Sequence, residues 1–334
     1  MKPVSLAVLL VLMNVLATSN VLADSRTVYG TDDRLDYYAA PAALQKLADS
    51  TVALFKANEV QADGTLSLFS YAEAFNLCKR EPFSEQPIGA FCSGSLVAPD
   101  TIMTAGHCIR NDSDCANTKF VFGFALKSVR MPLKAQPGDI YSCAGIIARQ
   151  ESQAGDYALI KLNRPVTNRA PLKLNRGENI AEGTHLLVIG HPKGLPVKIA
   201  GNASVRDASQ PGFFVANLDT YQSNSGSAVF NAETHLVEGI LVRGDDDFMD
   251  STEPDATGHG QHPCQISYVN PDDGGRGEDV TKISLVLPFL PPAGAPKARA
   301  HDPETIPVAV KSAAPDEGTD SKLLRIMSAL GNSR

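Results

Sequence analysis

Three residues of this sequence could together carry out nucleophilic acyl transfer. Ser225 lies in DTYQSNSGSAVF (219–230), between Asn224 and Gly226, with small residues after it and a β-type run beyond. That setting suits a tight turn presenting a hydroxyl beside exposed backbone N–H groups, although the string alone describes any polar turn. The chemistry also needs an imidazole to take the hydroxyl proton and a buried carboxylate to fix that imidazole's tautomer. Upstream, His107 follows the apolar run of TIMTAGHCIR and is adjacent to Cys108, while Asp156 heads the strand-like AGDYALIKL. In chain order the set reads His107, Asp156, Ser225. The rival carboxylates Asp112, Asp114 and Asp139 lie in loops with no apolar strand after them.

The elements that must position these side chains read as short strands. TVALF (51–55), FCSGSLVA (91–98), KFVFGF (119–124), SCAGIIA (142–148) and YALIKL (157–162) recur between turn residues. The second half continues with THLLVIG (184–190), PVKIAG (196–201), FFVANL (213–218), SAVF (227–230), HLVEGILV (235–242) and KISLVL (282–287). Many short strands with Gly and Pro between them, and few helices, predict an all-β barrel or sandwich. The stretch 163–178 reads as a connector, dividing a first unit over 51–170 from a second over 171–290. With 334 residues, 43% of them hydrophobic, the chain can bury cores for both.

The flanks are of another character. Residues 1–23 have Lys2, an apolar run from Val4 to Leu16 and small or apolar residues before Asp24, the pattern of a secretory signal peptide. The expected location is therefore extracytoplasmic, secreted or periplasmic, with no stable membrane insertion once the signal is removed. Residues 24–50 read as a propeptide or an N-terminal arm. Residues 291–334 form a Pro/Ala-rich tail ending in SKLLRIMSAL, where Leu323, Leu324, Met327 and Leu330 share a helical face that would dock weakly on the body. A net charge of −7 without a long basic run argues against a nucleic-acid partner. Six cysteines in an exported chain suit disulfides, and they allow fifteen pairings.

The order His107, Asp156, Ser225 and the motifs around it resemble the trypsin/chymotrypsin-like serine proteases. FCSGSLVAP with TAGHC is similar to that family's segment in which a disulfide closes the histidine loop, which implies a Cys92–Cys108 pair; AGDYALIKL is similar to its aspartate strand, and NSGS to its nucleophile loop. The resemblance covers roughly residues 50–290. It implies two six-stranded antiparallel β-barrels with the active site in the cleft between them. It further implies a serine endopeptidase acting on protein or peptide substrates through an acyl-enzyme. Ser225 would be the nucleophile, His107 the base, Asp156 the orienting acid, and the backbone N–H groups of Ser223 and Ser225 the oxyanion hole. Neither metal nor organic cofactor is required. The loops are similar to the bacterial glutamyl-endopeptidase-like branch, and Asn224 replaces the aspartate that in animal enzymes pairs with a freed N-terminus.

Two departures bear on activity and specificity. Ser223 stands where the family usually has glycine, which leaves a catalytically impaired, protease-fold binding protein as the alternative reading. Asp219, six residues before Ser225, matches the base of the primary specificity pocket, where an aspartate selects Arg or Lys; the competing reading is that it hydrogen-bonds the loop. Arg243, on the strand beyond the nucleophile, could bind an acidic side chain or pair with the run 245–247. The cluster His259, His262 and Cys264 lacks a clear fourth zinc ligand, so the expectation is no metal. For the remaining cysteines, Cys115 and Cys143 could bridge neighbouring strands, which would leave Cys78 with Cys264, but the sequence does not choose among the pairings.

Overall fold

The computed structural model describes residues 28–129, 133–177, 179–244, 246–258 and 263–292. The signal-like segment, the tail beyond residue 292, and His259 and His262 lie outside the described residues. Twelve antiparallel strands make two barrels. In the first, β1 (Thr51–Lys56), β2 (Cys92–Ala98), β3 (Thr101–Thr104), β4 (Thr118–Phe122), β5 (Ile140–Ser152) and β6 (Gly155–Leu162) close in the order β6-β3-β2-β1-β4-β5. In the second, β7 (His185–Gly190), β8 (Lys198–Asp207), β9 (Phe213–Ala216), β10 (Ala228–Asn231), β11 (Val237–Arg243) and β12 (Glu278–Lys282) close in the order β7-β10-β11-β12-β9-β8.

The alternation of side chains along a strand explains why both faces of some strands are apolar. Val52 and Leu54 of β1 point into the main core with Phe120 and Phe122 of β4. Ala53, Phe55 and Val121 point the other way, where Leu66, Ala90, Phe124 and Ala135 from loops cover them. In the second barrel, Leu186, Val188, Phe214, Val229, Leu241 and Val280 form one core. The alternate residues Leu187, Ile189, Phe230, Val237 and Ile240 join the first barrel's core. One apolar cluster therefore runs through the seam between the barrels.

The last strand differs from its sequence reading. The apolar run 282–287 is not a strand: β12 ends at Lys282, and Ile283–Leu285 forms a 3₁₀ turn. The strand lies earlier because Glu278, Asp279 and Thr281 are buried with polar partners on neighbouring segments. Residues 28–50 are a packed arm rather than a loose extension. Val28–Tyr29 pairs with Val269–Asn270, Leu35–Asp36 pairs with β8, and a helix, Ala42–Ala48, lays Leu44, Leu47 and Ala48 on the main core. Three disulfides join Cys92 to Cys108, Cys115 to Cys143 and Cys78 to Cys264. No helix among the described residues is long and apolar enough to cross a membrane.

Candidate active site

His107 is delivered by β3, whose four residues are all buried and which runs through Ala105 into a turn. The Cys92–Cys108 bridge ties that turn back to β2. Gly106 is required there: a β-carbon would lie 2.1 Å from the carbonyl of Gln150 and 2.9 Å from Asp156 Oδ1. Asp156, at the head of β6 and 4% exposed, fills the space. Its Oδ1 accepts from the N–H of Gly106 at 2.5 Å and of His107 at 3.1 Å, and its Oδ2 lies 2.7 Å from His107 Nδ1. Because a carboxylate only accepts, the proton sits on Nδ1 and the lone pair of Nε2 faces outward.

Two supports of this pair are not apparent from local sequence. Thr281 Oγ1, on β12 of the other barrel, accepts from the N–H of Asp156 at 3.1 Å and donates to its carbonyl at 3.0 Å. Arg149 Nε donates to the carbonyls of Gly106 at 2.9 Å and Ile109 at 3.0 Å, holding the histidine turn from β5.

Ser225 is half-buried in the loop between β9 and β10. Ser93 of β2 clamps this loop: its N–H donates to the Ser225 carbonyl at 2.9 Å and its hydroxyl to the Ser223 carbonyl at 2.9 Å. The same hydroxyl accepts from the N–H of His191 at 2.9 Å, so one buried serine joins three segments. Among the described residues the N–H groups of Ser223 and Ser225 donate to no protein acceptor. No hydrogen bond joins Ser225 Oγ to His107 among them either, a contact that commonly tightens only when substrate is bound. Ser223 has φ +73° and Gly226 φ +90°, so Ser223 adopts the backbone region that glycine would favour.

A cleft of about 430 Å³ opens beside Ser225, lined by Thr220, Tyr221, Gln222, Lys193, Val242, Arg243, Asp247 and Glu278 among others. Lys193 and Asp247 pair as buried partners. Arg243 Nε lies 3.0 Å from Asp279, which Arg276 also contacts at 2.8 Å; Asp245, of the run 245–247, lies outside the described residues. Glu278, 1% exposed, accepts from Thr220 Oγ1 at 2.7 Å.

Asp219 does not line this cleft. Its two oxygens accept from the backbone N–H groups of Tyr29 at 2.8 Å and Asp33 at 3.2 Å, so the pocket-base expectation gives way to a carboxylate turned toward the arm. Burial, reinforced by Asp33, raises its pKa to about 8 despite those two donors. Cys92, His107 and Cys108 come close together, but both sulfurs are committed to a disulfide, which removes them as metal ligands. The same applies to Cys264.

Over residues 92–240 the sequence matches the family model of the trypsin-like peptidase domain. That stretch, a little under half of the chain, is similar to the domain of the trypsin-like peptidases. Among solved structures it is similar to a Glu endopeptidase, with 16% identity and a TM-score of 0.43 over 65% of this chain and 87% of that one. It is also similar to the VesB protease of Vibrio cholerae, with 15% identity and a TM-score of 0.44 over 76% of this chain and 64% of that one.

Proposed function

We propose that this chain is an exported serine endopeptidase that cleaves after Arg or Lys, with Ser225, His107 and Asp156 as its catalytic residues. The observation that carries the catalytic reading is the His107–Asp156 pair at 2.7 Å on the first barrel, with Cys108 Sγ of the same turn 3.7 Å from the carbonyl of Ser225, which lines the cleft. Ser225 Oγ attacks the scissile carbonyl while His107 Nε2 takes its proton. The tetrahedral oxyanion sits against the N–H groups of Ser223 and Ser225. His107 then gives the proton to the leaving amine, and water repeats the sequence on the acyl-enzyme. Asp156 holds the tautomer and stabilises the imidazolium. Ser223, with its positive φ, supports a formed oxyanion hole rather than an impaired one.

Specificity for a cationic side chain rests on Glu278, not on Asp219. Lys193 and Asp247 neutralise each other and Arg243 is engaged by Asp279, while Glu278 and Asp246 add two further acidic side chains to the lining of the cleft, of which Glu278 is the buried one. A guanidinium or ammonium gains charge-assisted hydrogen bonds there, whereas an acidic side chain meets a buried like charge. Three disulfides support an oxidising, extracytoplasmic compartment.

A fluorophosphonate should label the purified protein at Ser225, and Ser225→Ala should abolish labelling and lower turnover of unfolded protein substrates by roughly 10⁶-fold. Wild-type protein that neither labels nor cleaves would refute the catalytic reading. In a peptide series varying the residue before the cleaved bond, Arg and Lys should lead, and Glu278→Gln should lower their kcat/KM by on the order of 10²-fold or more relative to neutral residues. An unchanged ranking in Glu278→Gln would exclude that residue as the selector.

A further inference from the structure

Part of the cleft wall comes from segments that precede or follow barrel strands, and the N-terminal arm reaches three of them. The first is 219–222. Asp219, 4% exposed, holds the arm through the N–H groups of Tyr29 and Asp33. The next three residues, Thr220, Tyr221 and Gln222, all line the cleft. The second is the start of β12, where the N–H of Gly277, beside Glu278, donates to Tyr29 Oη at 3.0 Å. The third is the pair of segments around Asp247 and Ser267. The N–H of Tyr268 donates to the Asp247 carbonyl at 3.2 Å, and Ser267 is held by Glu81, which accepts from its N–H at 2.8 Å and from its hydroxyl.

Arg34 joins the first and third. Its side chain is 1% exposed, with Nε and Nη2 forked on Asp32 at 2.8 and 2.6 Å and Nη2 3.8 Å from Glu81. The face of the guanidinium lies 4.1 Å from the ring centre of Tyr221, whose hydroxyl is 2.5 Å from Ser267 Oγ. A buried cation of this kind is held only if its partners stay in place, and it holds them in turn. The nucleophile loop has a separate anchor, because Ser93 of the first barrel fixes Ser223 and Ser225, and among the described residues no hydrogen bond joins residues 28–36 to either.

We propose that residues 28–36 are the built-in element that orders the substrate cleft, with Arg34 as its positioning residue, and that the arm is therefore retained in the active enzyme. This rests on the catalytic reading of Ser225, His107 and Asp156. Loops of this length without such contacts sample many conformations, and a cleft that must first be ordered binds substrate weakly. Damage to the arm thus loosens recognition of extended peptides while leaving the His107–Asp156 pair and the Ser93 clamp intact.

The test compares Arg34→Met, which keeps most of the apolar stem, with the wild type in two assays. For peptide substrates KM should rise about 10- to 100-fold. The rate at which a small fluorophosphonate labels the serine, which does not depend on cleft contacts, should stay at the wild-type value. Unchanged KM in Arg34→Met would overturn the proposal. Should that variant fail to fold, Asp219→Asn gives the same KM readout from the other end of the contact. Independently, N-terminal sequencing of labelled, active protein should find a start at or before Val28; an active species starting beyond Asp36 would also overturn the proposal. Absence of labelling in the wild type would refute the catalytic reading and this inference with it, whereas normal labelling with unaffected KM would refute the arm's role alone.

Discussion

At the scale of single residues, two positions in one loop show how much a β-carbon decides. Gly226 cannot be replaced without collision, since a β-carbon would lie 2.1 Å from the Ser93 carbonyl and 2.3 Å from Thr104 Oγ1. Ser223, with φ +73°, bears its side chain in the left-handed region, where an L-residue costs about 1–2 kcal/mol. Ser223→Gly is therefore expected to keep or raise kcat/KM and to stabilise the fold by up to about 1 kcal/mol, part of the relief being offset by the entropy of the unfolded chain. Thermal denaturation and steady-state kinetics check both; a tenfold fall in kcat/KM would show that the serine side chain itself is needed. The pairing of His107 with Asp156 is legible in sequence because each stands in a local context that fits its chemistry, and Ser225 is the candidate nucleophile on the same ground. The role of Asp219 is not legible there, because the N–H groups that claim it come from residues 186 and 190 positions away. Ser93 is hidden for the same reason: nothing in FCSGSLVA shows that its hydroxyl reaches Ser223 and His191.

At the scale of elements, apolar runs locate the strands whose faces are buried in hydrocarbon and misplace the one buried against polar groups. β12 reads as loop because Glu278, Asp279 and Thr281 interrupt it, yet those residues are buried by Thr220, by Arg243 and Arg276, and by the backbone of Asp156. A strand that lines the cleft through Glu278 and supports Asp156 through Thr281 is thus the one a hydrophobic pattern misses. Thr281 also links the barrels, since its hydroxyl satisfies both backbone groups of Asp156. Thr281→Val keeps shape and burial but leaves that N–H without its partner. The expected result is a loss of about 1–3 kcal/mol in unfolding free energy, accompanied by a fall in kcat as Asp156 shifts. Urea denaturation alongside kinetics tests this, and a variant as stable and as active as the wild type would show that the cross-barrel bond is dispensable.

At the scale of the whole molecule, the seam between barrels carries a group whose ionisation opposes folding. His191 is buried, its N–H bonded to Ser93 Oγ, its Nδ1 3.0 Å from the Leu195 carbonyl and its ring 5.7 Å from that of Phe124, a residue of the first barrel's outer core. Burial, with Lys198 nearby, lowers its pKa to about 4 from an ordinary value of 6.5. Between those values the folded protein binds fewer protons than the unfolded chain, so stability is lost as pH falls through that window, by on the order of 3 kcal/mol for the full shift. Asp219 acts in the opposite sense. With its folded pKa raised from 3.8 to about 8, the folded protein binds more protons than the unfolded chain across that range, and stability declines as pH rises. The two trends overlap, so the wild-type profile alone would not separate them, whereas the difference between wild type and a His191 variant isolates one. His191→Gln retains a donor for the Leu195 carbonyl and removes the titration. Unfolding free energies of both proteins measured at pH 7 and pH 4.5 should show the wild type losing stability relative to the variant on acidification. Parallel profiles would place the acid sensitivity elsewhere and leave the seam indifferent to the charge on His191.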